Sequence, residues 1–193
     1  MIYTIIFDLD GTLVNLNLNM ENLVSEIEDL IQAKIDSGPF LESIISYTKD
    51  NPPLRQKIWN TIDRIEKENI HNLQIFPETI SVLNEIKSRN YNLALVTLQG
   101  QKATSLILRK LSLTAFFNPI ITRENSYLRS QQLELALESL QLAKDQALFV
   151  GDRLNDLEES QKAGIKCILI RRKFNPLKGV IVIKSLSDLL QYI

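Results

Sequence analysis

Six short apolar runs punctuate the chain: Ile2–Phe7, Leu93–Val96, Ile120–Ile121, Ala147–Val150, Cys167–Ile170 and Val180–Ile183. They are nearly continuous rather than alternating, the pattern of strands buried on both faces of a parallel sheet. Segments with helical apolar spacing lie between them. Ile80, Leu83 and Ile86 form one stripe, with Pro77 suited to a helix start. Leu106, Ile107 and Leu111 form a second, and Leu133, Leu137 and Leu140 a third. Strand–helix alternation from about Phe76 onward predicts repeated βαβ units, hence an α/β domain with a doubly wound, Rossmann-like parallel sheet.

One region breaks this rhythm. From about Leu16 to His71 no buried strand is visible. Leu23, Ile27, Leu30 and Ile31 keep helical spacing, as do Leu54, Ile58, Ile62 and Ile65. Gly38-Pro39 and Asp50-Asn51-Pro52-Pro53 mark turns between the stripes. The pattern predicts a small all-helical segment, residues 16–72, inserted after the first strand of an α/β domain made of residues 1–15 and 73–193. There is no internal repeat and no low-complexity tract.

Bulk composition narrows the function classes. A chain of 193 residues can bury one sizeable core plus a small insert. The net charge is −1 and Lys and Arg do not gather in one region, so nothing favours nucleic acid or an anionic membrane as partner. The triplet Arg171-Arg172-Lys173 reads as a solvated turn. With one cysteine, Cys167, no intrachain disulfide can form, and its apolar run suits a buried structural thiol. The lone His71 supports neither a zinc site nor a Ser-His-Asp triad. No apolar run approaches the roughly 20 residues of a membrane span. The first residues reach Asp8 without a basic stretch, unlike a secretory leader, and a cytoplasmic protein is expected.

The candidate chemistry sits just past the strands. Ile5-Ile6-Phe7 runs into Asp8-Leu9-Asp10-Gly11-Thr12. If Asp8 ends the strand, its carboxylate projects at the C-terminal edge, where open α/β sheets bind ligands. Gly11 allows a tight turn that folds Asp10 over the same place. Two carboxylates there repel each other; a divalent cation resolves this, and hard oxygen ligands favour magnesium. A second pair, Asp152 and Asp156, follows the run Ala147–Val150 in Gly151-Asp152-Arg153-Leu154-Asn155-Asp156. Thr97, with Leu98-Gln99-Gly100 behind it, offers a hydroxyl and backbone N–H groups as a phosphate-oxygen site. Against these stand plainer readings. Asp156 and Thr97 are each able to serve as a simple helix cap. Thr12 reads as a turn-stabilising hydroxyl, and Trp59 as helical core.

Taken in order, these segments resemble the haloacid dehalogenase superfamily, specifically its phosphatases. The family's first motif, Asp-x-Asp-Gly-Thr, fits Asp8 to Thr12; the second, a Thr or Ser ending a strand, fits Thr97; the fourth, Gly-Asp-x-x-x-Asp, fits Gly151 to Asp156. The resemblance covers the whole chain, and the helical stretch stands where many members carry a cap. It implies that Asp8 attacks phosphorus and forms an aspartyl-phosphate, while Asp10 protonates the leaving group and then activates water. It implies a Mg2+ cofactor held among Asp8, Asp10 (through its backbone carbonyl), Asp152 and Asp156, with Thr97 and Leu98 binding phosphate. The substrate implied is a small phosphorylated metabolite, of the phosphoglycolate or sugar-phosphate kind. The second aspartate, Asp10, separates the phosphatases from transport ATPases, which carry Thr there.

The third motif is where the chain departs from the family. Members usually place a Lys, often before Pro, in this slot; here it falls near Tyr127 with no Lys close by. Arg129 and Arg123 are the cations nearest it, and Arg129 is the expected substitute. Its plainer alternative is a surface pair with Glu134. Two other functions stay open at this point: a phosphotransferase or mutase with the same aspartates, and a non-catalytic binding module with a degenerate site.

Overall fold

The computed structural model describes residues 2–35, 40–173 and 176–193. In chain order the elements are β1 (Thr4–Phe7), β2 (Val14–Asn15), α1 (Met20–Ile31), α2 (Phe40–Tyr47), α3 (Pro52–Asn69), β3 (Gln74–Ile75), α4 (Thr79–Ser88), β4 (Asn92–Val96), α5 (Gln101–Lys110), β5 (Ile120–Ile121), α6 (Arg129–Leu140), β6 (Ala147–Gly151), α7 (Leu154–Ala163), β7 (Lys166–Ile170) and β8 (Ile181–Ile183). Short 3-10 turns join several of them. The chain divides into two compact units, Met1–Asn15 with Gln74–Ile193, and Leu16–Leu73.

The first unit is the doubly wound α/β domain that the apolar runs predict. Its sheet has six parallel strands in the order β5-β4-β1-β6-β7-β8. The chain starts in the middle, builds outward through β4 and β5, then crosses back to β6 and builds outward the other way. The switch point therefore lies around β1, where such sheets open a crevice at their C-terminal edge. Phe7 is level with Leu95 on one side and Val150 on the other, so the loops after β1, β4 and β6 leave the sheet together.

Strand alternation shares out the core. Ile6, Ala94, Val96, Phe149, Cys167 and Leu169 form one apolar face with Leu133, Ala136 and Leu137 of α6 and Ala163 of α7. Ile5 and Phe7 point the other way, where Phe7 meets Phe117 edge-to-face at 6.4 Å. Each fully buried Ile, Leu or Phe here contributes about 1.5–3 kcal/mol by leaving water. The stripes of α4 and α5 are rotated from expectation. α4 buries Thr79, Val82, Leu83 and Ile86, and α5 buries Ala103, Thr104, Ile107 and Leu108. Both sets follow the helical repeat, so Ile80 and Leu106, one residue out of step, are exposed. The ribbon of β2 and β3 was not foreseen; two residues per strand carry no readable period.

Among its described residues the second unit is helical. Asn19 caps α1 through the Asn22 N–H at 3.1 Å. Asn51 caps α3 through the Leu54 N–H at 3.1 Å, with Pro52 in the first turn, so the Asp50–Pro53 segment is a helix start. Leu23, Ile27, Leu41, Ile44, Ile58, Ile62 and Ile65 are buried. The turn assigned to Gly38-Pro39 lies outside the described residues. No helix among the described residues is long and apolar enough to cross a membrane.

Candidate active site

Backbone bonds fix the first aspartate. The Asp8 N–H donates to the Val150 carbonyl at 2.9 Å, extending the β1–β6 ladder by one residue and leaving the side chain at the sheet edge. Asp8 is 5 % exposed. The chain then turns tightly: the N–H groups of Leu13 and Val14 both donate to the Leu9 carbonyl. Gly11 sits in this turn at φ +86°, and a Cβ there would run into the Asp152 carboxylate. Gly11 thus lets the first and fourth motifs touch. Gly151 does the same for Asp156, whose Oδ2 would lie 2.6 Å from an added Cβ. That oxygen accepts the N–H groups of Asp152 (3.2 Å) and Arg153 (3.1 Å), so Asp156 does cap the start of α7. Its other oxygen faces the site.

Arg129 meets both acids. Its Nη2 lies 2.6 Å from Asp8 Oδ1 and its Nε 3.1 Å from Asp156 Oδ1, and all three side chains are buried. Glu134 is not its partner. The first turn of α6 explains the aim of the side chain: Ser126 Oγ accepts the Leu128 N–H at 3.1 Å and Glu159 Oε2 accepts the Ser130 N–H at 3.2 Å, pinning the helix start on either side of Arg129. Gln132, which sequence reasoning missed, completes the network. Its Oε1 accepts Arg129 Nη1 at 3.0 Å, and its Nε2 donates to the carbonyls of Thr97 and Ser126, each at 2.8 Å. Only its place on the face of Leu133 and Ala136 hinted at burial.

Carboxylate oxygens of Asp8, Asp152 and Asp156 lie within 4.8 Å of one another. Against three carboxylates Arg129 supplies one buried positive charge. Burial pushes the Asp8 carboxyl up to about 8 despite the pull of Arg129, with Asp156 and Asp152 adding like charge. Burial, then Asp156, pushes Asp152 up to about 6, and Asp10 is near enough to add to the effect. Burial opposes the charge on Arg129, yet Asp8 and Asp156 outweigh it and raise its pKa. Asp152 Oδ1 is buried with no hydrogen-bond partner. Hard oxygens converging from three acids and an orphaned carboxylate atom fit a divalent cation such as magnesium. The Asp10 side chain is not in the trio.

Thr97 is buried, its N–H donating to the Ile121 carbonyl at 2.9 Å. It is not the cap of α5; Gly100 takes that place. One N–H group expected to be open is engaged, Gln99 donating to Thr97 Oγ1 at 3.2 Å, and at the start of α5 the Gln101 N–H donates to Glu124 Oε2 at 2.8 Å. Acceptors from the loop's own turn and from the neighbouring β5 loop reach them first. Leu98 is half-buried, and its carbonyl accepts Arg123 Nη1 at 3.1 Å, so Arg123 braces this loop.

Three other expectations change or sharpen. Thr12 does not stabilise its turn through the hydroxyl, which is buried without a partner; backbone bonds hold the turn. Arg172 is no solvated turn residue: it donates to the Gly11 carbonyl at 2.7 Å and the Thr12 carbonyl at 3.2 Å. Its partners lie far away in sequence, beyond any local pattern. Cys167 is buried, and burial pushes its thiol up to about 12, so it is inert.

Residues 5–170 match the haloacid dehalogenase-like hydrolases. A pyrophosphatase PpaX of Bacillus cereus is 28 % identical, with 98 % of this chain and 95 % of that protein covered. Solved structures share the fold. A haloacid dehalogenase-like family hydrolase from Streptococcus pneumoniae has a TM-score of 0.75 at 22 % identity, over 99 % of this chain and 98 % of that one. A HAD phosphatase from Thermococcus onnurineus has a TM-score of 0.68 at 20 % identity, over 100 % and 97 %. With the Asp8–Thr12 and Gly151–Asp156 motifs set side by side at one sheet edge, the chain belongs to the haloacid dehalogenase-like hydrolases and is an enzyme of their phosphatase type.

Proposed function

We propose that the chain is a magnesium-dependent phosphatase that hydrolyses a small phosphorylated metabolite through an aspartyl-phosphate on Asp8. The observation that carries this reading is the buried Asp8 carboxylate, held 2.6 Å from Arg129 and beside Asp152 and Asp156 at the switch point of the sheet. Asp8 attacks phosphorus in line while Asp10 gives its proton to the leaving oxygen. Water then attacks the phosphoenzyme, Asp10 takes its proton, and Asp8 is released. The Thr97 hydroxyl and the Leu98 amide bind the transferring oxygens, and Arg129 offsets their charge in the role usually filled by lysine. Asp8, Asp152, Asp156 and the Asp10 carbonyl would hold magnesium, which when bound neutralises charge between nucleophile and phosphate.

We assign residues 1–15 and 73–193 as the catalytic domain and residues 16–72 as its cap, the feature that suits small substrates in this family. Inorganic pyrophosphate belongs among the first substrates to try, since relatives covering nearly the whole chain are named pyrophosphatases. Small esters such as phosphoglycolate follow. Phosphate release from an aryl phosphate with magnesium tests the reading, and separates it from phosphate transfer to a second substrate. Asp8→Asn should abolish release with the fold intact, because the amide is nearly isosteric and cannot attack. A variant within about tenfold of wild type, ~1.4 kcal/mol in barrier, would remove Asp8 from the mechanism.

A further inference from the structure

We propose that Arg172 is the positioning residue of Asp10, an inference that rests on reading Asp10 as the proton donor. The guanidinium spends two of its donors on consecutive carbonyls, Gly11 at 2.7 Å and Thr12 at 3.2 Å. These peptides follow Asp10 in the turn that carries it. The guanidinium is also held from outside the turn: it lies 3.3 Å over the centre of the Phe76 ring, and the Nη2 that meets the Thr12 carbonyl is also 3.4 Å from Glu78 Oε1. That carboxylate oxygen also accepts the Leu186 N–H at 3.3 Å, so the anchor is itself tied to the C-terminal segment.

The side chain is 30 % exposed, yet its geometry is not that of a solvated arginine. A planar fork on two adjacent carbonyls, an aromatic face beneath it and a carboxylate at its edge fix its orientation. The fork in turn fixes the planes of the two peptides behind Asp10. Gly11, at φ +86°, has no side chain to restrict its torsions, so a brace on the peptide after it adds to the hold of its own N–H on the Val14 carbonyl. If the peptide after Gly11 rotates, the Asp10 carboxyl swings away from the leaving oxygen. A misplacement of ~1 Å costs about a hundredfold in proton-transfer chemistry. Arg172 lies two residues past the end of β7, so the brace joins the sheet's second half to the first motif.

The role has a signature that a purely structural one lacks. In the first half-reaction the Asp8–phosphorus bond forms, the bond to the leaving oxygen breaks, and that oxygen takes the Asp10 proton. An alkoxide needs this proton to leave; p-nitrophenolate does not. The value of kcat/KM covers steps only through formation of the phosphoenzyme. It should be measured for an alkyl phosphate and for p-nitrophenyl phosphate, with wild type, Asp10→Asn, Arg172→Met and Arg172→Lys. Methionine keeps an apolar contact with Phe76 and so spares the fold. We expect Arg172→Met to lose at least about tenfold more on the alkyl ester than on the nitrophenyl ester. Arg172→Lys, which can still reach one carbonyl, should fall between, and it carries the same comparison should the methionine variant not fold. Asp10→Asn should show the same asymmetry, enlarged. Equal losses on both esters in the Arg172 variants, beside an asymmetric Asp10→Asn, would overturn the brace and leave Asp10 in place. A symmetric loss in Asp10→Asn would overturn both.

Discussion

Replacing Arg129 by alanine removes in one step the cation that Asp8 and Asp156 share. Taking one partner from a buried ion pair costs about 3–5 kcal/mol, because the remaining charge loses its compensation in a medium that cannot solvate it. Two carboxylates are stranded here, but one has a way out. Arg129 opposes the burial and the like charges that raise the Asp8 carboxyl, so without it that carboxyl rises further and holds its proton more firmly. The loss should therefore fall near the lower end, about 3 kcal/mol, or roughly 6–12 °C in Tm for a chain of this size. The same escape damages catalysis. A protonated Asp8 is no nucleophile, and the transferring oxygens lose their cation, so the rate should drop by about a hundredfold or more, ~2.7 kcal/mol. Arg129→Lys brings one ammonium that can meet either carboxylate but not both, and should recover part of the rate. Arg123→Ala, which unties the Leu98 carbonyl, should cost less than Arg129→Ala. The assay is phosphate release at saturating aryl phosphate and magnesium, with thermal unfolding on the same samples. A folded Arg129→Ala enzyme within about threefold of wild type, ~0.6 kcal/mol, would refute the assignment of Arg129 to the third-motif role.

Two further outcomes test the acidic cluster. Chelator should abolish phosphate release and magnesium restore it, while calcium, with its looser and higher coordination, should inhibit; full activity in chelator would mean the aspartates form no required metal site. Gly11→Ala should raise the magnesium concentration for half-maximal activity at least about tenfold, since the methyl displaces Asp152 and φ +86° adds strain of order 1–2 kcal/mol; an unchanged magnesium titration would separate Asp152 from the metal.

What the sequence displays best is what repeats or stands out chemically. Continuous apolar runs appear only where both faces of a strand are covered, so β1, β4, β6 and β7 were legible as parallel strands. Acids directly after such runs were legible as a site because strand ends share one edge. Other parts leave no local trace. Gln132 is an amide in a helix, ordinary on a surface, and its total burial depends on Arg129, Thr97 and Ser126 arriving around it. Arg172 looks like any cation in a basic triplet until Gly11, Thr12 and Phe76 are brought to it from far upstream. The amide of Gln99 reads as open because its acceptor, a side chain two residues back, depends on loop conformation. Helical spacing told of α4 and α5 but not their rotation, since a stripe of three residues fixes a buried face only loosely.

The central position of β1 also sets an order of assembly. Thr4 pairs with Asn92 on one side and Ala147 on the other, so the strand ahead of Asp8 has no local neighbour to zip onto. Both pairings close very long loops, whose entropy is lost before the contacts form. A nascent or refolding chain carries β1 as an unpaired apolar segment until those distant strands dock. The Asp8 side chain exists from the start, yet it acquires Asp152, Asp156 and Arg129 only when α6 and β6 are in place. Recovery of turnover during refolding should then lag the regain of helical signal and follow the docking of β6, making catalysis itself a probe of that long-range contact.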